Sequence, residues 1–210
     1  MFCTRCGRTL DEGTQFCPAC GAPVSGPGAT PLFGPAPVPP APALLTASQL
    51  TMVWDKLSMF TNYQFQDASG RTLGGTKGEI AFPVKYTLFD ENQQVVLTID
   101  ATMAHGLRFD FLIHESSGNV LASIRQDASF MSRKYALTVG GRPDWLLTTD
   151  ATGYHYQIEA ASGGNVAATG DRKPALRTST TQIRIVDGQP LDHRIILGAL
   201  ILAEYFSTRK

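Results

Sequence analysis

One pattern recurs through most of this chain: an alternating strand, an acidic residue, a small polar turn and an apolar return strand. It reads Tyr63-Gln-Phe65-Gln-Asp67-Ala-Ser-Gly70, and then Tyr86-Thr-Leu-Phe89-Asp90-Glu-Asn92-Gln-Gln-Val-Val-Leu97. Phe109 to Ile124 repeats it with a turn at Glu115-Ser-Ser-Gly118, and Tyr154 to Ala167 repeats it around Ser162-Gly163. A further pair of runs, 134–139 and 145–149, turns at Gly140-Gly141, and residues 49–57 supply an alternating run ahead of them all. Period-2 runs joined by Ser-Gly, Asn-Gln and Gly-Gly turns mark antiparallel hairpins. No helical period interrupts them, so a meander of roughly 10–12 strands is expected. Such a sheet must close into a barrel or sandwich to hide its edges.

The last segment breaks that pattern. Leu191 to Phe206 follows Gly188 and Pro190, and Asp192 stands where a helix cap is needed. This predicts a helix over 192–206 that is apolar all round apart from Glu204. A helix with no polar face must be buried on every side. Its apolar stretch, Ile195 to Phe206, falls short of the roughly 18–20 apolar residues that cross a bilayer. It does suit the inside of a β-barrel.

The chain's four cysteines lie at its start in two equal pairs, Cys3-Thr-Arg-Cys6-Gly7 and Cys17-Pro-Ala-Cys20-Gly21. Thiolates spaced i, i+3 can turn both sulfurs onto one ion, and two such pairs complete a tetrahedral S4 shell. Residues 1–24 are too few to bury a core, so metal binding must supply most of their folding energy. The expected metal is Zn2+ held by Cys3, Cys6, Cys17 and Cys20; two disulfides or an iron site of the rubredoxin type are the alternatives. With every ligand from protein, the site is closed and structural. Residues 25–43 form a Pro/Ala/Gly-rich linker: eight of the 13 prolines fall between Ala22 and Ala43, which favours extended, unladdered backbone.

Charge narrows the partners. Eighteen basic and 18 acidic side chains give zero formal net charge, which speaks against nucleic acid as a partner of the whole chain. The first 20 residues are polar and carry no apolar stretch of the secretory type. Thiols confined to a metal site suit a reducing compartment, so the expected location is the cytoplasm, including the inner face of its membrane.

An antiparallel meander ending in an apolar helix resembles the tubby-like barrel of the phospholipid scramblases and the LURP-one-related proteins. Thr61-Asn62-Tyr63-Gln-Phe65 to Gly70 is similar to a scramblase strand, and Gly118-Asn-Val120-Leu-Ala-Ser-Ile124-Arg125 to the family's return strand. Gln189-Pro190-Leu191-Asp192, followed by the apolar run 195–206, resembles the approach to its C-terminal helix. The resemblance covers residues 44–210 and implies a closed antiparallel barrel around that helix, with the N-terminal segment similar to zinc-ribbon modules. It also implies phospholipid as a ligand, through basic side chains; Arg172, Lys173 and Arg177, with Arg133 and Lys134, are the candidates, against a plain solvated loop. The calcium segment of scramblases maps onto 182–192, where Asp187 and Asp192 offer two carboxylates, short of the roughly six to eight oxygens calcium takes.

Nothing in the sequence assembles a catalytic site. His105, His114, His155 and His193 lack metal-pair spacing and read as structural, and Gly74-Gly75 and Gly140-Gly141 lack the helix and Lys-Ser/Thr of a phosphate loop. The expected function is a non-enzymatic module binding lipid headgroups or a protein partner, with the zinc ribbon as adaptor. The alternative is a scramblase-like membrane protein that moves lipids between leaflets.

Overall fold

A computed structural model describes residues 3, 7–11, 17–20, 41–55, 62–79, 84–103, 109–126, 134–175 and 177–208. The chain divides into two compact units, Met1–Pro40 and Ala41–Lys210. The second unit therefore takes in Ala41 to Ala43, which the proline content alone assigned to the linker.

The described residues of the second unit form twelve strands: β1 Gln49–Asp55, β2 Tyr63–Gln66, β3 Thr72–Glu79, β4 Lys85–Asp90, β5 Val95–Met103, β6 Phe109–Glu115, β7 Val120–Gln126, β8 Lys134–Val139, β9 Arg142–Thr149, β10 His155–Ala160, β11 Val166–Lys173 and β12 Thr178–Ile185. Each pairs with its sequence neighbour, and β1 pairs antiparallel with β12, so the meander closes into a barrel. A short helix α1, Ala43–Thr46, precedes the barrel and a long helix α2, His193–Thr208, ends it.

The strands alternate as their sequences require. Tyr86 and Leu88 in β4, Leu97 and Ile99 in β5, Tyr156 and Ile158 in β10, and Ile183 and Ile185 in β12 are all 3% exposed or less. These side chains turn into the barrel while their neighbours turn out. Because the order is strictly up and down, one end of the barrel holds the turns β2–β3, β4–β5, β6–β7, β8–β9 and β10–β11. We call it the turn end. The other, which we call the mouth, lies where β1 and β11 finish and where α2 terminates.

The acidic residues that mark the repeat in the sequence turn out to build the turn end. Asp67 Oδ1 accepts from the backbone N–H of Ser69 and Arg71, at 2.9 and 3.0 Å. Asp90 Oδ1 does the same for Asn92 and Gln94, at 2.9 and 2.8 Å. Glu115 instead takes the side chains of Ser117 and Asn119, both at 2.6 Å. Short acidic side chains that bond the backbone two residues on imitate a backbone turn. Gly118 then adopts a φ of 93°, open to glycine at no steric penalty. The register slips by a bulge in all five of these hairpins, which adds the local twist a closing sheet needs.

Helix α2 fills the barrel. Every described side chain from Ile195 to Glu204 is 3% exposed or less. The helix packs on β5, β6 and β7, on β8 where Tyr135 stacks on Phe206, and on β9, β10 and β11, most of the way round the ring. Asp192 caps it, accepting from Arg194 N–H at 2.8 Å, so the helix proper starts one residue later than expected and runs on to Thr208. Gly198 lies where β6 presses closest: a Cβ there would sit 2.8 Å from Ile113 Cδ1. Among the described residues, no helix is long and apolar enough to cross a membrane.

Candidate functional site

In the first unit, the Sγ atoms of Cys3, Cys17 and Cys20 lie within 4.8 Å of one another, and Cys3 Sγ is 3.7 Å from Cys20 Sγ. A disulfide requires about 2.05 Å. Two thiolates on one tetrahedral ion, each at about 2.3 Å, stand about 3.8 Å apart. The pair therefore has metal-sharing geometry rather than that of a disulfide. The Cys3 N–H donates to Arg8 O at 2.8 Å and the Gly7 N–H to Cys3 O at 2.8 Å, a tight turn that brings the loop round the sulfur. Cys3, Leu10 and Cys17 are buried together with Cys20 packed against them, the buried apolar cluster of this small unit among the described residues. Cys6, the expected fourth ligand, lies outside the described residues, as does Arg133.

In the second unit, the polar chemistry collects at the mouth. Arg172, near the end of β11, faces inward, and its Nε lies 3.0 Å from Glu204 Oε1 in the last turns of α2; the side chains are 8% and 1% exposed. The Nε–H is not aimed along that contact, so charge rather than a formed hydrogen bond joins the two. Tyr156 donates its hydroxyl to Glu204 Oε2 at 2.8 Å, and Thr181 does so at 3.4 Å. The Arg172 guanidinium also lies over the Trp54 ring, 5.9 Å from its centroid. Burial, then the Glu204 charge, pushes the Tyr156 phenol well above its ordinary pKa. Burial followed by the neighbouring Tyr86 does the same to Tyr63, so both rings remain hydroxyl donors.

The sequence grouped Arg172 with Lys173 and Arg177 as a surface cluster; the period-2 alternation of β11 separates them. Arg172 turns into the barrel, whereas Lys173 and Arg177 are exposed. Lys134, the first residue of β8, is exposed at the same mouth, and Lys85, the first of β4, is partly exposed there. Lys85 escaped the sequence reading because only the ring order brings distant strand ends to one rim. Exposed Glu79, opposite Lys85 in the β3–β4 ladder, Asp150 and Asp171 share this mouth, while Asp67, Asp90, Glu115 and Asp187, with Arg71, Arg142 and Arg194, lie close to the turn end.

Asp187 is exposed, and Asp192 is engaged by Arg194, whose Nη2 lies 2.6 Å from its Oδ2. Arg194 also reaches Glu115 Oε2 at 3.2 Å, tying the helix start to β6. The hydrogen bonds of Arg194, then burial in the opposite sense, leave Asp192 below the usual carboxylate range. Among the described residues the cysteine trio is the only group of three or more suitable ligands. Two histidines acquire acid partners that linear sequence hid: His155 Nδ1 meets Asp171 Oδ1 across the β10–β11 ladder, and His114 Nε2 is 3.5 Å from Asp100.

A LURP-one-related family model matches residues 49–204, almost the whole barrel with its helix. The chain belongs to the LURP-one-related family. Its N-terminal residues 2–24 match a zinc-ribbon domain model, in line with the thiol geometry of a metal site. The LURP-one-related barrel is also similar to the crystal structure of a protein from Arabidopsis thaliana, at 17% identity and a TM-score of 0.51. That match covers 75% of this chain and 91% of the other and extends to the fold alone. No curated protein matches the chain.

Proposed function

We propose that this protein is a non-enzymatic binding module of the cytoplasm, whose basic barrel mouth docks on anionic phospholipid headgroups. The observation that carries this reading is the placement of Lys85, Lys134, Lys173 and Arg177 on one rim, where they outnumber the exposed Glu79, Asp150 and Asp171. With α2 enclosed by the strands, the apolar helix is engaged in the core and the rim charges are left as the means of attachment. The ribbon serves as a separate protein-docking adaptor. Its thiols fit Zn2+: Cys3, Cys17 and Cys20, with Cys6, would hold it, and the ion would supply folding energy to a unit with almost no core.

Co-sedimentation of the full chain with phosphatidylcholine vesicles, with and without phosphatidylserine, tests the reading. Binding should require the anionic lipid and weaken steeply with salt, since exposed charges are screened beyond about 8–10 Å at physiological ionic strength. Lys134→Glu with Lys173→Glu should reduce it at least tenfold. Binding that ignores both salt and these substitutions, or none to any vesicle, leaves a protein as the partner.

A further inference from the structure

We propose that the inner wall of the mouth is a receptor for a small uncharged, hydroxyl-rich ligand of the polyol or sugar class. The site goes beyond the rim described above, because its groups face inward. Trp54 pairs in register with Ser179 on β12 and with Tyr63 on β2, which sets these three side chains side by side on the lumenal face. Tyr63 and Ser179 are 0% and 1% exposed. Yet the Trp54 Nε1–H, the Tyr63 hydroxyl and the Ser179 hydroxyl are all buried without a hydrogen-bond partner among the described residues.

A buried donor left unmatched is destabilising by about 1–3 kcal/mol, and three adjacent ones are far outside the usual pattern. An indole N–H can only donate, so what completes this wall must present acceptor oxygens. Charge then selects among acceptors. Arg172 lies over the Trp54 ring and against Glu204, so the cationic and anionic groups beside the wall cancel. An oxyanion entering here meets the Glu204 carboxylate, and an ammonium meets the guanidinium. A neutral polyol meets neither penalty: its oxygens accept from Trp54, Tyr63 and Ser179, and its C–H face lies against the aromatic rings. Trp54 is only partly buried while the three donor atoms are themselves closed off, so a ligand reaches them by parting the side chains of the wall.

The test is a titration of the full chain followed through the indole N–H resonances, of which the chain has two. Trp54→Phe identifies one of them by its loss. Millimolar myo-inositol or glucose should shift the Trp54 signal saturably while Trp145 stays put. Tyr63→Phe and Ser179→Ala should each weaken binding about 3- to 10-fold, the value of one hydrogen bond, without lowering the thermal midpoint. No shift with either polyol overturns the proposal, as does an equal shift in wild type and both variants. A saturable shift with inorganic phosphate but not with polyol also overturns it, in favour of an anion site.

Discussion

Arg172 Nε and Glu204 Oε1 stand 3.0 Å apart inside the barrel, joining β11 to the last turns of α2. Removing one member leaves the other charge buried without its counter-ion, a loss of about 3–5 kcal/mol. Glu204→Ala and Arg172→Met should each lower stability by that order in chemical denaturation. Replacing both by apolar residues of similar volume, Arg172→Met with Glu204→Leu, should recover most of the loss. Additive single effects would show that the two charges are not coupled.

Helix packing makes a second prediction at Gly198. A Cβ there meets the Ile113 side chain at 2.8 Å, and overpacking of this kind destabilises by about 1–3 kcal/mol. Removing a helical glycine returns about 1 kcal/mol. The first effect wins because Ile113 Cγ1 and Cγ2 also lie at 3.3 Å, leaving the side chain little room to retreat. Gly198→Ala should therefore lower the thermal midpoint in the wild type and raise it in an Ile113→Ala background.

Freshly reduced protein should carry close to one zinc per chain in native mass spectrometry. Cys17→Ser should release it and open the first unit to protease, since Cys17 is one of its few buried groups. The barrel's thermal transition should not move, because its core contains none of these residues. Zinc-free reduced protein with an intact, protease-resistant first unit would contradict the assignment.

Asp150 links stability to acid. Burial acts to raise its pKa, but the Thr152 hydroxyl and the N–H groups of Tyr154, His155 and Gly153 outweigh it and hold it at about 2. A depressed folded-state pKa contributes stability above the unfolded value near 3.8, and that contribution disappears as pH falls through about 2. Asp150→Asn should destabilise at neutral pH by a modest amount, the group being solvent-screened. The gap between variant and wild type should close between about pH 4 and pH 2; a gap independent of pH would assign the loss to geometry instead of charge.

Local chemistry was legible in the sequence wherever the interaction is short-ranged. The paired cysteines, the acidic turns at Asp67, Asp90 and Glu115, the cap at Asp192 and the apolar faces of β2, β4, β6 and β10 depend on neighbours within a few residues. By contrast β3 and β12, with Gly74-Gly75 and with Ser179 and Thr181 on them, carried no such face to read. The all-round apolarity of 195–203 even required that the helix be enclosed, because no other burial satisfies a helix without a polar side. Closure of β1 on β12, the bulges and the rim shared by Lys85, Lys134 and Lys173 depend on ring order, which no local pattern encodes. The pairing of Arg172 with Glu204 belongs to that second class. In sequence Arg172 sits between Asp171 and Lys173 and reads as part of a charged loop; only the pleat of β11 turns it inward, and only the threaded helix brings it a carboxylate.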